Sequence, residues 1–153
     1  MNFITVAEAA RIIASGSSVL VSGSGGGHGV PEAVLEAIEA RFLSEAAPRD
    51  LTLIHVVGIG DRQQKGAARF GHEGMLKRSI TSALIDSPIL MEMALANKFE
   101  SYILPQGVMS QLMRDMTADG RDLSPKPGFI RSSIRDTAAV ARTNPPRTNW
   151  SRS

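Results

Sequence analysis

The sequence predicts an α/β fold: a three-layer domain with a mainly parallel, open sheet and helices on both faces. Three observations predict it. Short runs of aliphatic and β-branched residues recur at 18–22, 51–57, 79–84 and 101–104. Apolar residues fall at helical spacing between them, and the runs open into loops that carry glycine. Strand, glycine loop and helix in repetition argue for parallel strands joined by crossover helices. In such sheets ligands meet the loops at the strand carboxyl ends. The candidate ligand-facing loops are therefore 23–31, 58–74 and 105–107.

In chain order, Thr5 is placed as an N-cap, with Glu8 three residues on to complete a capping box. The helix behind it runs through Ala9, Ala10, Ile12 and Ile13 and stops near Ser15-Gly16. Ser18 to Ser22 is the first strand and leads into Gly23-Ser24-Gly25-Gly26-Gly27-His28-Gly29-Val30-Pro31. Pro31 suits a first helical turn, where its missing N–H costs nothing. Glu32 stands where the helix dipole favours an acid. From Glu32 to about Ser44, Val34, Leu35, Ile38 and Phe42 share one side. Pro48 breaks that helix, and Leu51 to Val57 is the second strand. Residues 62–77 are polar and rich in glycine and read as a functional loop or short helices. Ser79 to Leu84 is a third strand, Pro88 to Asn97 a helix, and Ser101 to Leu104 a fourth strand. Pro105-Gln106-Gly107 is its loop, and Val108 to Met116 a last helix.

From Asp122 the texture changes: Ser, Arg, Thr, Asn and Pro dominate, and neither period persists. The composition predicts a domain over 1–121 and a disordered tail over 122–153. The pI of about 9.4 belongs to that tail. Residues 1–121 hold 11 Lys and Arg against 13 Asp and Glu, whereas 122–153 hold 6 against 2. A nucleic-acid module would carry its basic face on the domain, so no nucleic-acid partner is expected. There is no cysteine, which excludes disulfides and thiolate metal sites. No apolar run approaches the roughly 20 residues that span a bilayer, and the N-terminus lacks the charge and apolar pattern of a leader. The expectation is a soluble cytoplasmic protein without a membrane partner.

The loop 23–29 is the strongest chemical feature. Its five glycines let the backbone approach a ligand and adopt positive φ, and the following helix start could receive an anion. The bland alternative is a tight strand-to-helix turn. A P-loop would end in Gly-Lys-Ser/Thr, where Gly29-Val30-Pro31 stands, and a dinucleotide fingerprint from Gly23 would need glycine at His28. His55, inside a strand, reads as a hydrogen-bonded structural residue. His72-Glu73 carries acid–base groups but reads first as structural or positioning. The three histidines are too scattered for zinc, and no metal site is expected. Met109, Met113 and Met116 read as core. Gln106 in a sharp loop could donate to an oxyanion or thioester oxygen; ordinary turn chemistry is its alternative.

Together these residues resemble family I coenzyme A (CoA) transferases of the acetate, propionate and 3-oxoacid type. That family carries a strand and a glycine loop ending in Gly-x-Pro-Glu, as Val19 to Gly23 and Gly29-Val30-Pro31-Glu32 do here. It continues with Leu51-Thr52-Leu53, Gly58-Ile59-Gly60-Asp61, Phe70-Gly71-His72-Glu73-Gly74, Lys77-Arg78, Tyr102 to Val108, and Arg114-Asp115. The match runs in order over about 5–121. Thr81-Ser82 departs from the Gly-Gly pair of many members and points to a substrate subgroup.

The resemblance implies the amino-terminal, α-like part of such an enzyme. A glutamate in the second half would attack the acyl-CoA thioester and pass through a glutamyl-CoA intermediate. No catalytic residue is then expected in this chain. Gly25, Gly26, Gly27, His28, Gly29, Gln106 and Gly107 would line the substrate and CoA pocket. No cofactor is implied, CoA being a substrate. The implied partners are acyl-CoA, small carboxylic acids and a β-like half. A homo-oligomer would follow from exposed sheet edges. The alternatives are a stand-alone α subunit that needs a separate β chain, or a non-enzymatic nucleotide- or anion-binding module.

The tail sharpens the resemblance. After Arg-Asp the family continues with Gly-x-x-Thr-Lys-x-Gly, Thr-Phe-x-Asp-Pro-Arg and Gly-Gly-Gly, none of which follows Gly120. Read one base out of register, with permitted synonymous codons, 122–142 can yield Pro-Val-Thr-Lys-Ala-Gly-Phe-His-Thr-Phe-Ile-Asp-Pro-Arg-His-Gly-Gly-Gly-Ser-Gln. The tail is therefore read as a frameshifted version of the family sequence.

Overall fold

In a computed structural model, residues 3–118 and 141–142 are described. Four strands, β1 (Ser18–Leu20), β2 (Leu51–His55), β3 (Leu76–Thr81) and β4 (Glu100–Ile103), pair in sequence order and all in parallel. A two-residue strand, β5 (Ala141–Arg142), pairs antiparallel with β4. The helices are α1 (Val6–Ile12), α2 (Glu32–Glu45), α3 (Pro88–Leu95) and α4 (Gln106–Ala118).

The order 1-2-3-4 has a direct consequence. Right-handed crossovers that always step the same way put their connections on one face of the sheet. The cores agree. Ala10 of α1, Leu35 and Ile38 of α2, and Leu90 and Ala94 of α3 are buried together with Leu51 and Leu53 of β2. Residues at alternate strand positions point the other way, and Ile54, Ile80 and Leu104 are buried there with Met109 and Leu112 of α4. The arrangement is three-layered with helices on both faces, as the sequence predicts.

The local signals act as physical chemistry requires. Thr5 Oγ1 accepts the Glu8 N–H at 3.2 Å and Glu8 Oε2 accepts the Thr5 N–H at 2.7 Å, a complete capping box. The Thr5 N–H above all, and then the Thr5 hydroxyl, which donates to Glu8 Oε2 at 2.8 Å, hold the Glu8 carboxyl below its usual range. The α2 helix ends on Ala46 in the left-handed region, followed by a cis Ala47–Pro48 bond.

Two expectations need correction. The third strand spans 76–81, not 79–84. Lys77-Arg78 hide its start, yet they fit a strand because Arg78 pairs with Glu100 at 2.7 Å and lies over the Tyr102 ring. The polar stretch 62–77, read as a functional loop or short helices, contains a 3-10 turn, Ala67–Phe70, whose Ala67, Ala68 and Phe70 are buried. Gln106 and Gly107 do not form a loop after β4; they are the first residues of α4. Pro105 acts as the entry, its carbonyl accepting the Met109 N–H at 3.1 Å. Of the expected disordered tail 122–153, only Ala141–Arg142 are described, as β5; the rest lies outside the described residues.

Candidate functional site

Because β1 to β4 are parallel, the segments that follow them leave the same end of the sheet. Three meet there: the glycine loop after β1, the segment 58–66 after β2, and 82–87 after β3. The last was not among the sequence-derived candidates, since a strand running to residue 84 left no room for it.

The glycine loop is built from backbone. Gly25–Gly27 forms a 3-10 turn, closed by the Ser24 N–H donating to the His28 carbonyl at 2.9 Å. Gly26, Gly27 and Gly29 have φ of 76°, 79° and 65°, a region costly for residues with a Cβ. The His28 side chain is exposed, with its ring beside Gly26.

Glycine also sets how closely the three segments approach. A Cβ on Gly58 would collide with the Asp86 carboxylate, one on Gly60 with the Asp86 carbonyl, and one on Gly66 with the Ile59 carbonyl. The Cβ position of Gly25 lies 3.8 Å from Asp86 Oδ2, and that of Gly27 lies 3.7 Å from the Gly60 carbonyl carbon. Asp86 thus stands where the three segments converge. Its carbonyl accepts the Arg62 N–H at 3.1 Å and its Oδ1 accepts Arg62 Nε–H at 3.4 Å. The Asp61 carboxylate accepts the N–H groups of Gln63, Gln64 and Lys65 at 2.9–3.0 Å. These bonds, that from Lys65 foremost and then that from Gln63, hold its carboxyl below the usual carboxylate range.

Beneath these segments, His55 of β2 and Thr81 of β3 stand in register. His55 is 1% exposed. Its Nδ1 lies 2.7 Å from the Val57 carbonyl, which can only accept, so Nδ1 carries the proton. Thr81 Oγ1, 2.8 Å from Nδ1, shares that proton, accepts the Ala83 N–H and donates to the Ala83 carbonyl. Burial pushes the imidazole pKa down, against a smaller opposite pull from the Val57 carbonyl. The ring is neutral and joins the roots of two converging segments. Its Nε2 is buried and has no hydrogen-bond partner among the described residues.

The sequence-derived candidates divide accordingly. Gly25 to Gly29 and the Gly58–Asp61 motif are brought together. Gln106 and Gly107 start α4 beyond β4, with β2 and β3 between them and the strand that carries the glycine loop. His72 and Glu73 lie elsewhere, in the turn that enters β3, at the amino end of the sheet. His72 Nε2 pairs with Glu39 at 2.8 Å and its ring stacks on Phe42, while Glu73 pairs with Lys98 at 3.0 Å. Both are structural. Asp86 and Arg62 were missed, because contact between segments more than twenty residues apart leaves no periodic signal. Among the described residues no group of three or more His, Asp or Glu is placed to hold a metal ion, and no helix is long and apolar enough to cross a membrane.

The chain is 30% identical over 127 residues to the acetate CoA-transferase YdiF of Escherichia coli, a match covering 83% of this chain and 23% of that protein. The crystal structure of an E. coli acyl-CoA transferase (YdiF) in a thioester complex with CoA matches with a TM-score of 0.73 at 29% identity, covering 76% of this chain and 24% of that one. Over the matched stretch the chain is similar in sequence and fold to part of a CoA-transferase. A caffeate CoA-transferase of Acetobacterium woodii is 33% identical over 128 residues, covering 84% of this chain and 24% of that protein. No family model matches the chain. The chain spans about a quarter of the length of the curated relatives it matches.

Proposed function

We propose that the chain supplies one wall of an acyl-CoA site in an enzyme that moves CoA from a short-chain acyl-CoA to a carboxylic acid or 3-oxoacid. The observation that carries this reading is the convergence of three backbone-walled segments at the carboxyl ends of parallel strands, in a chain related to CoA-transferases. Ligands of open α/β sheets bind at that end, and glycine lets main-chain N–H groups reach a thioester oxygen without side chains in the way.

The chemistry requires a carboxylate nucleophile. In the proposed cycle a glutamate attacks the thioester carbonyl; CoA leaves as thiolate and an acyl-glutamyl anhydride forms. The thiolate then attacks the glutamyl carbonyl and releases the donor acid, leaving a glutamyl-CoA thioester from which an acceptor carboxylate regenerates acyl-CoA. Glu32, which borders the segment 58–66 through the Gly66 N–H, is paired with Arg69, as is Glu39, and Glu73 is paired with Lys98. The nucleophile is assigned to a β-like half, with which this chain would act in short-chain acyl-CoA metabolism in the cytoplasm, on CoA as substrate and without a resident cofactor. Gln106 and Gly107 are retained as a second wall only for the complete enzyme, since nothing joins them to the glycine loop here. The frameshift reading of residues from about 121 onward is also retained; the nucleotide sequence downstream of codon 121 decides it.

Two measurements test the function. Calorimetric titration of acetyl-CoA into the purified chain is expected to give binding. A coupled assay for CoA exchange between acetyl-CoA and propionate is expected to give no turnover. Exchange by this chain alone would refute the external nucleophile, and absence of any acetyl-CoA binding would refute the site.

A further inference from the structure

Arg62 sits at the tip of the segment after β2, beside Asp61, and its backbone and side chain are both unusual. Its φ is +64°, in the left-handed region that residues with a Cβ enter at a cost. It is held there by Asp86: the Arg62 N–H donates to the Asp86 carbonyl, and Nε–H donates to Asp86 Oδ1 at 3.4 Å. The pair is asymmetric. The Asp86 side chain is 15% exposed and the Arg62 side chain 69%. The acid is fixed by packing against Gly58 and beside Gly25, and it grips one edge of the guanidinium. Nη1 and Nη2 have no hydrogen-bond or ion-pair partner among the described residues.

A long, exposed ion pair contributes little to stability, so this pair does not account for the strained backbone. Strain that stability does not explain gathers at functional positions. What the arrangement does produce is an oriented fork of N–H donors, the geometry that matches two oxygens of a carboxylate or a phosphate. The other charges nearby do not duplicate it. The Asp61 carboxylate is engaged by three backbone N–H groups; Lys65 and His28 are exposed, and neither is gripped by an acid.

We propose that Arg62, positioned by Asp86, is the anion-receiving residue of the three-segment site and takes an oxyanion of the ligand in bidentate contact. The proposal rests on the reading of these segments as an acyl-CoA site and adds the residue that fixes the ligand's charge. The oxyanion is a carboxylate of the acid or a phosphate of CoA, two sources with the same chemistry.

The full chain would be titrated with CoA, with pantetheine (which lacks phosphates) and with propionate, as wild type, Arg62→Ala, Arg62→Lys and Lys65→Ala. Circular dichroism would establish that each variant is folded; the exposure of Arg62 predicts that all are. Arg62→Ala is expected to weaken one anionic probe by roughly tenfold or more. Loss confined to CoA, with pantetheine unchanged, assigns the phosphate; loss confined to propionate assigns the carboxylate. Arg62→Lys should recover only part, since a point charge cannot reproduce the fork, and Lys65→Ala should stay within about twofold of wild type. If CoA and pantetheine bind and Arg62→Ala changes no probe, or changes it no more than Lys65→Ala does, the role of Arg62 is overturned while the site stands. If no probe binds the wild type, both fall together.

Discussion

The carboxyl-end segments and the seam between α2 and the turn Ala67–Phe70 solve one problem, holding loop to scaffold, by opposite means. At the carboxyl end main chain lies close on its neighbours: Gly60 and Gly66 bring it against the Asp86 and Ile59 carbonyls, and Gly58 against the Asp86 carboxylate, at distances no Cβ permits. Along the seam, long charged side chains span the gap. Arg69 donates to Glu32 at 2.9 Å and to Glu39 at 2.7 Å, Glu39 also pairs with His72, and Glu32 accepts the Gly66 N–H at 2.8 Å. The hydrogen bonds that Arg69 donates to Glu39 and Glu32, in that order, push its pKa up against the effect of burial. The two constructions meet at Gly66. The main-chain wall is set by close contact at glycine, whereas a surface locked by ion pairs has its charges already satisfied.

The sharpest way to break this contrast is Gly60→Ala. Its Cβ would meet the Asp86 carbonyl and the Ser87 hydroxyl, and backbone cannot rotate aside as a side chain can. Overpacking against backbone is expected to cost about 3 kcal/mol or more, measured as a lower midpoint of urea unfolding. A loss below about 1 kcal/mol would mean that the segments are not packed this closely. Arg69→Ala, on the side-chain-built seam, should cost less. Arg69 is 18% exposed, and its removal leaves Glu32 and Glu39 without their shared cation. Because Glu32 is 28% exposed, water compensates part of the loss, and about 2 kcal/mol is expected. Arg69→Lys should recover less than half of it, since an ammonium cannot hold two acids in one plane.

The seam and the carboxyl-end segments were not equally legible in the sequence. Helix and strand periods revealed the layers, because Leu35 and Ile38, or Leu51 and Leu53, repeat on one face whatever packs against them. The capping box at Thr5 and Glu8 was legible for the same local reason. Lys77-Arg78 concealed the start of β3, since a strand half turned to solvent loses its apolar mark, and the error propagated: it hid the segment 82–87 and with it Asp86. Pro105 and Gly107 give Gln106 the local signature of a loop, although both are compatible with a helix entry. The glycines were visible as a motif, but not what each one touches. Gly60 and Gly29 look alike in the sequence and differ in kind in the fold.

Beneath the segments, His55 offers a pH test of how firmly their roots are tied. Its folded pKa lies below the ordinary value of about 6.5, so the unfolded chain binds the proton more tightly. The stability it confers is fully present above about pH 6.5 and is lost as pH falls from there toward the folded pKa. Within that window unfolding free energy should decline with a slope of up to about 1.4 kcal/mol per pH unit from this one group. His55→Asn keeps a donor near the Nδ1 position and removes the titration, so its stability should be flatter across the window. Equal slopes in both proteins would exclude His55 as the cause.

The mildest change isolates what backbone conformation alone contributes. Gly29 has φ of 65°, and the space its Cβ would fill is empty to 4 Å. Gly29→Ala therefore meets no neighbour and bears only the cost of the left-handed region, about 1 kcal/mol. Gly29→Asn should cost less, because an amide side chain tolerates that region. The ratio between Gly60→Ala and Gly29→Ala then measures how much of the glycine requirement is contact and how much is conformation. If the two variants are destabilised equally, close approach to Asp86 is not what glycine at position 60 supplies, and the main-chain wall loses its physical basis.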